Sequence, residues 1–212
     1  MKTFRELTIY SNKQMLSVVI EYIERRSGGD WSINREIVEN DPVIGDDMIC
    51  FSFAGSETIP SANLWLATDQ NRLYVANIVP HEKMQLSYDE YNSLIEEFTE
   101  RFVIPLADEM SVTFELSSNE FKLQDVLSDD TFQKLRKFSA AANKSTGSHH
   151  PADRRRWLDF IASLHLEQAD LHASFLRRWL EEEEDWPPDT AADLVSEYEF
   201  GLELLDLFDE YH

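Results

Sequence analysis

The sequence predicts an α+β fold, and three observations carry that prediction. Short β-rich runs alternate with amphipathic helices through residues 1–142, a polar stretch follows at 143–151, and residues 152–212 read as helix throughout. The expected order in the first part is β-α-β-β-β-α-β, a mixed or antiparallel sheet with helices on one face. The expected organisation is therefore a 1–142 α+β domain, a 143–151 polar linker and a 152–212 acidic helical region.

The elements follow in order. Thr3 to Tyr10 has the apolar and β-prone residues of a strand. Ser11 or Asn12 can cap a helix from Lys13 to Arg26, with Met15, Val18, Val19, Tyr22 and Ile23 as its apolar face. Gly28-Gly29-Asp30 ends it in a turn, and Asp46-Asp47 reads as another. Met48–Ala54, Asn63–Thr68 and Arg72–Val79 are three strands, the last two joined as a hairpin at Asp69-Gln70-Asn71, and Pro80 stops the third. Ser87 caps a long helix with Asp89 and Glu90 in its first turn, where the macrodipole favours acids. Its stripe is Tyr91, Leu94, Ile95, Phe98, Phe102 and Val103, and Pro105 is expected to kink or interrupt it. Ser111–Leu116 is a strand and Asp129–Ala142 a helix.

Beyond the polar stretch, Leu158, Ile161, Leu164 and His165 line one helical face, and Leu171, Phe175, Leu176, Trp179 and Leu180 the next. A loop near Gln168-Ala169 separates them. Pro187-Pro188 opens the last helix, with Ala191, Leu194, Val195, Tyr198, Leu202, Leu205 and Phe208 as its apolar side.

Charge is the most informative bulk quantity. The 212 residues carry 19 Lys and Arg against 41 Asp and Glu, a net −22, with enough hydrophobic residues (42%) for a packed core. Such a field repels nucleic-acid phosphates and anionic lipids, which argues against a long nucleic acid or a membrane and for a cationic partner. From Glu167 to the end there are fifteen acids and two bases, Arg177 and Arg178. Lys134, Arg136, Lys137, Lys144, Arg154, Arg155 and Arg156 form a basic island that contains His149, His150 and the single acid Asp153. Two roles fit that island. It is an internal counter-charge for the acidic helices, or an anion site built from Lys144, His150, Arg154 and Arg156.

Motifs for chemistry are missing. Asn143-Lys144-Ser145-Thr146-Gly147-Ser148 has the Lys-Ser of a phosphate loop, but Asn143 stands before the lysine and Phe138 holds the first glycine position. Neither H-x-x-x-H, C-x-x-C nor G-x-S-x-G occurs, and His149-His150 with Asp153 lacks the further ligands of a metal site. Glu96, Glu97 and Glu100 share the exposed face of a helix. The single cysteine, Cys50, sits in an expected strand as a buried thiol. It cannot form an intrachain disulfide, and no secretory signal is expected from the opening residues. A cytoplasmic protein without a cofactor or metal is expected.

The segment Phe138–Ser148, His150-Pro151-Ala152-Asp153 and Arg156-Trp157, together with Trp179–Trp186 and Glu197–Gly201, resembles a group of uncharacterised bacterial cytosolic proteins over residues 127–210. The shared pattern is N-K-S-T-G-S-x-H-P-x-D-x-x-R-W followed by an acidic helical C-terminus. The resemblance implies a bacterial cytosolic protein and brings no activity with it.

These readings point to a binding protein more than to an enzyme. The sharpest version is an immunity protein or antitoxin that neutralises a basic toxin by surface complementarity. Glu181, Glu182, Glu183, Glu184, Asp185, Asp189 and Asp193 would supply its acidic face, and Trp186 an aromatic anchor. The alternative is a ligand-sensing or enzymatic module that holds a small phosphorylated anion at the Lys144/Arg154–Arg156 island.

Overall fold

A computed structural model describes residues 1–40, 47–83, 85–110 and 112–211. The chain divides into two compact units: Lys2–Asn119, and Glu120–His212 together with Met1. The division falls after Asn119 and not in the polar stretch at 143–151, which lies inside the second unit. The reason is local packing, because helix 129–141 lies against helix 151–167 and shares its core.

In the first unit the elements are β1 (Leu7–Tyr10), α1 (Lys13–Arg26), β2 (Trp31–Ile33), α2 (Arg35–Asn40), β3 (Met48–Phe53), β4 (Ala62–Asp69), β5 (Arg72–Pro80), α3 (Tyr88–Phe98), α4 (Ile104–Met110) and β6 (Thr113–Leu116). The described strands form one antiparallel sheet in the order β2-β3-β4-β5-β1-β6, so β1 is inserted between β5 and β6. Both edge strands are short, which limits the unpaired backbone a sheet edge presents. Trp65 pairs with Asn77 and Leu66 with Val75, so Ala76 is the extra residue of a β-bulge.

Alternation along the strands sends Leu7, Ile9, Phe51, Phe53, Leu64, Leu66 and Leu73 to one face, where α1 and α3 cover them. Trp31, Phe98 and Phe102 join Phe51 and Phe53 in a cluster with centroids 4.9–5.9 Å apart. The α+β class and the sheet with helices on one face agree with the sequence.

Several details differ. The first strand starts at Leu7 and not Thr3, because the backbone ahead of it bonds elsewhere. Arg5 N–H donates to Asn92 Oδ1 and Asn92 Nδ2 donates to the Thr3 carbonyl, both at 2.8 Å. Residues 31–33 add a strand too short to show in the sequence. On α1 Leu16 is buried, whereas Val18 is 39% exposed. Glu97 is not merely solvated, since its carboxylate accepts a hydrogen bond from the Trp31 indole. Asp46 of the expected turn and Ser111 of the last strand lie outside the described residues.

The long helix meets Pro105 without breaking. Between α3 and α4 the chain makes a π-helical turn, Thr99–Val103, in which Ile104 N–H bonds to the Thr99 carbonyl. A proline inside a helix removes one N–H and crowds the preceding turn, and the wider π turn absorbs that. At the other end of α3 the expected cap is a full capping box, Ser87 with Glu90.

The second unit contains α5 (Asp129–Ala141), α6 (Pro151–Glu167), α7 (Ala173–Arg178) and α8 (Pro188–Glu210). The expected loop near Gln168-Ala169 begins where Gln168 ends α6 in the left-handed conformation, and Pro188 takes the expected first position of α8. The core joins Phe138, Trp157, Phe160, Leu176, Trp186, Leu194 and Tyr198. Tyr198 donates to the Leu171 carbonyl at 2.6 Å, and burial pushes its phenol up to about 12. Leu158 and Phe208, both assigned to the core from sequence, are 49% and 57% exposed. No described helix is long and apolar enough to cross a membrane.

Glu90 links the fold to pH. Lys83, and then the Ser87 backbone and hydroxyl, hold its carboxyl down from 4.5 to about 2. A depressed carboxyl stabilises the fold above its unfolded value and loses that contribution as pH falls through the folded one. Wild type should therefore lose stability relative to Glu90→Gln between pH 4.5 and about 2. Parallel urea titrations of the two proteins at stepped pH would measure it, and parallel curves over that window would refute the assignment.

Candidate functional site

Both candidate sites from the sequence lie in the helical unit, so their residues can be followed into one structure. The basic segment is built first, because it connects α5 to α6.

Asn143 closes an Asx-type turn, its Oδ1 accepting from the Ser145 N–H at 2.9 Å and hydroxyl at 2.8 Å. Lys144 Nζ donates to the Glu184 backbone carbonyl. Gly147 has φ +59, and a Cβ there would sit 3.1 Å from Thr190 Cγ2, so glycine serves both the turn and the close approach to α8. Ser148, 3% exposed, donates to Glu197 at 2.6 Å. His150 is the N-cap of α6, its Nδ1 accepting from Ala152 N–H, and Pro151 is the first helical residue. Arg156 donates to the buried carboxylate of Asp153 at 2.6 Å. Trp157 is fully buried, 4.7 Å from Phe138, and its indole N–H has no partner among the described residues. Most residues of the quoted motif thus have a role in chain reversal, capping or packing.

The anion-site residues do not gather as free groups. Lys144, His150 and Arg156 are engaged as described, and Arg154 is the one of the four with neither an ion pair nor a side-chain hydrogen bond among the described residues. Lys134 is tied to Asp130 at 2.8 Å, which raises the lysine and lowers the carboxyl. The island's ion pairs are local, and Lys144 is the member that reaches the acidic run.

That run leaves α7 through a π-helical turn, Trp179–Glu183. Asp185 takes φ +52, and Trp186 N–H bonds back to the Leu180 carbonyl at 2.9 Å, a Schellman-like close. Pro187 and Pro188 follow, and the reversal carries Trp186 inward. Trp186 is therefore not a surface anchor: it is 2% exposed and stacked on Phe138 at 5.4 Å. Its indole N–H donates to Ser139 Oγ at 2.8 Å, and the Ser139 hydroxyl donates to Glu184 at 2.7 Å.

The other acids of the run are mostly matched. Glu181 pairs with Arg177 at 2.7 Å and Glu182 with Arg178 at 2.9 Å, four residues earlier on the same helical turn. The Arg178 hydrogen bond, above all, lowers the Glu182 carboxyl. Glu183 lies 3.4 Å from the amino terminus of Met1. Asp185, Asp189 and Asp193 are exposed. Of the seven acids and one tryptophan in the candidate face, these three aspartates stand in water without an ion pair among the described residues.

Sequence reasoning missed a second acidic surface, on the last turns of α8. Glu199, Glu203, Asp206 and Glu210 recur there at helical spacing. They are among the fifteen acids counted from Glu167 to the end, but the candidate face drawn from sequence stopped at Asp193. Elsewhere, burial pushes the Cys50 thiol up to about 11, and the described residues hold no metal-like cluster of three His, Cys, Asp or Glu.

No family model, curated protein or solved structure matches the chain.

The Ser139 bridge generates a test. Ser139→Ala leaves the Trp186 N–H buried without an acceptor and Glu184 without its donor, which should cost about 1–3 kcal/mol. Urea unfolding followed by tryptophan fluorescence would show the midpoint fall. An unchanged midpoint would mean that the bridge contributes nothing.

Proposed function

We propose that this chain is a cytosolic bacterial binding protein that engages a basic protein partner through its acidic helical unit. Toxin neutralisation, as an immunity protein or antitoxin, is the sharpest form of that reading. One observation carries it: from Trp179 to Tyr211 the sequence has thirteen acids and no Lys or Arg, displayed largely on ordered helix. A fixed array of one sign accelerates encounter with a partner of the other sign and needs no chemistry of its own. Nuclease-type toxins are basic because they hold phosphates, which makes them a natural class of target. The exposed aspartates Asp185, Asp189 and Asp193 belong to that array. Glu181, Glu182, Glu183 and Glu184 contribute to its potential while remaining paired within the unit.

The anion-binding alternative asks more of the molecule. Lys144 and Arg156 would have to leave the Glu184 carbonyl and the Asp153 carboxylate before closing on a phosphate.

The test is capture of partners from a bacterial lysate by the tagged chain, with elution by rising salt and identification by mass spectrometry. A basic protein should elute, and its measured on-rate should fall roughly tenfold or more as ionic strength rises from about 0.01 to about 0.15 M. Recovery of a small anion with no basic protein would overturn the reading in favour of the basic island.

A further inference from the structure

The last three turns of α8 present an apolar stripe to solvent. Phe200, Leu204, Leu207, Phe208 and Tyr211 follow helical spacing and are 65%, 56%, 44%, 57% and 82% exposed. At 3.6 residues per turn Phe200, Leu204, Leu207 and Tyr211 lie opposite Leu194, Tyr198, Leu202 and Leu205, which face the core, and Phe208 lies at the border between the two. Between the two faces, on one flank, run Glu199, Glu203, Asp206 and Glu210. Among the described residues Glu199, Glu203 and Glu210 have no ion pair, unlike Glu181, Glu182 and Glu183. Asp206 shares His165 with Asp209, the ring nitrogens lying 3.2 and 2.9 Å from the two carboxylates.

Two adjoining grooves follow this acidic flank. One, of about 740 Å³, is lined by His165, Asp170, Leu202, Asp206 and Glu210. The other, of about 470 Å³, is lined by His172, Glu199, Glu203 and Leu207. They share Leu202, Asp206 and Glu210, so they form one acidic trough beside the apolar stripe.

We infer that this trough and stripe, and not the Glu181–Asp193 segment, form the docking face, and that the face takes a basic amphipathic helix of a protein partner. The inference rests on the proposed binding function and names the surface for it. Charge complementarity selects the occupant. A helix with apolar residues at i, i+3/i+4 and i+7 can cover Phe200, Leu204 and Leu207, while its Lys and Arg flank enters the trough. A second copy of this chain would set its own acidic flank against the first, and like charges so placed oppose assembly.

The probe is a fluorescein-labelled peptide of about 18 residues, made of Leu and Lys with apolar residues at helical spacing. A scrambled peptide of the same composition is the control. Anisotropy is measured with wild type, F200S/L204S, E199Q/E203Q/E210Q and D189N/D193N, whose altered side chains lie on the surface, with circular dichroism to confirm each fold.

Wild type should prefer the patterned peptide over the scrambled one. F200S/L204S should weaken binding about tenfold or more, and E199Q/E203Q/E210Q should weaken it and flatten its salt dependence. D189N/D193N should change it by less than about twofold.

Equal binding of the two peptides would overturn the inference. So would a larger loss in D189N/D193N than in F200S/L204S, which would move the contact to the start of α8 and leave the binding function intact. Sedimentation showing a wild-type dimer that F200S/L204S dissolves would identify a second copy as the occupant and overturn it as well. If neither peptide binds but lysate capture yields a salt-released basic protein, the docking face falls and the proposed function stands. If both experiments fail, both readings fall.

Discussion

A polar atom taken out of water costs free energy unless it finds a partner inside the protein, and at Ser139 that cost organises the helical unit. The hydroxyl lies on α5, 1% exposed, and meets two groups from beyond the end of α7. It accepts from the Trp186 indole and donates to Glu184, whose own carbonyl is held by Lys144. One buried oxygen thus fixes where the acidic run turns, which way Trp186 points and where α8 begins. The aromatic stack of Phe138 on Trp186 fills the space around it.

This arrangement divides the acids into two populations. The four glutamates of the run are matched to Arg177, Arg178, the amino terminus or Ser139 and behave as structural groups. Those along the second half of α8 border an exposed apolar stripe, with the His165 ring nitrogens within reach of Asp206 and Asp209. The basic island has a comparable division, with Lys134, Lys144 and Arg156 engaged and Arg154 in solvent. A strongly charged segment therefore has to be traced to its partners before it is read as a surface for something else.

Much of the fold was legible because local rules and packing agreed. The α1 boundaries, the Ser87 cap, the β4–β5 hairpin and Pro188 at the head of α8 all come from residues whose conformational preferences are strong. What escaped depended on contacts distant in sequence. Asn92 diverts the backbone at Thr3 and Arg5 from the sheet, and β1 enters the sheet between strands that come late in the chain. Residues 31–33 are too few for an alternation to register. The candidate sites were legible as composition and not as geometry. Five acids in a row look like a solvated face, and only the reversal at Asp185 reveals that their neighbour Trp186 is core. Phe208 failed for the opposite reason. Its spacing suits the core side, but the last turns of α8 have less of the bundle to cover them.

The sign of the charges at the end of α8 has one more consequence. Backbone carbonyls leave the carboxyl end of any helix partly negative, yet this one carries Asp206, Asp209 and Glu210 there and no base in its last turn. Each like-signed charge in such a place costs roughly 0.3–1 kcal/mol at low ionic strength. The free protein therefore holds its terminal turns under electrostatic frustration. Any cation that settles against them gains from relaxing the helix as well as from its own ion pairs.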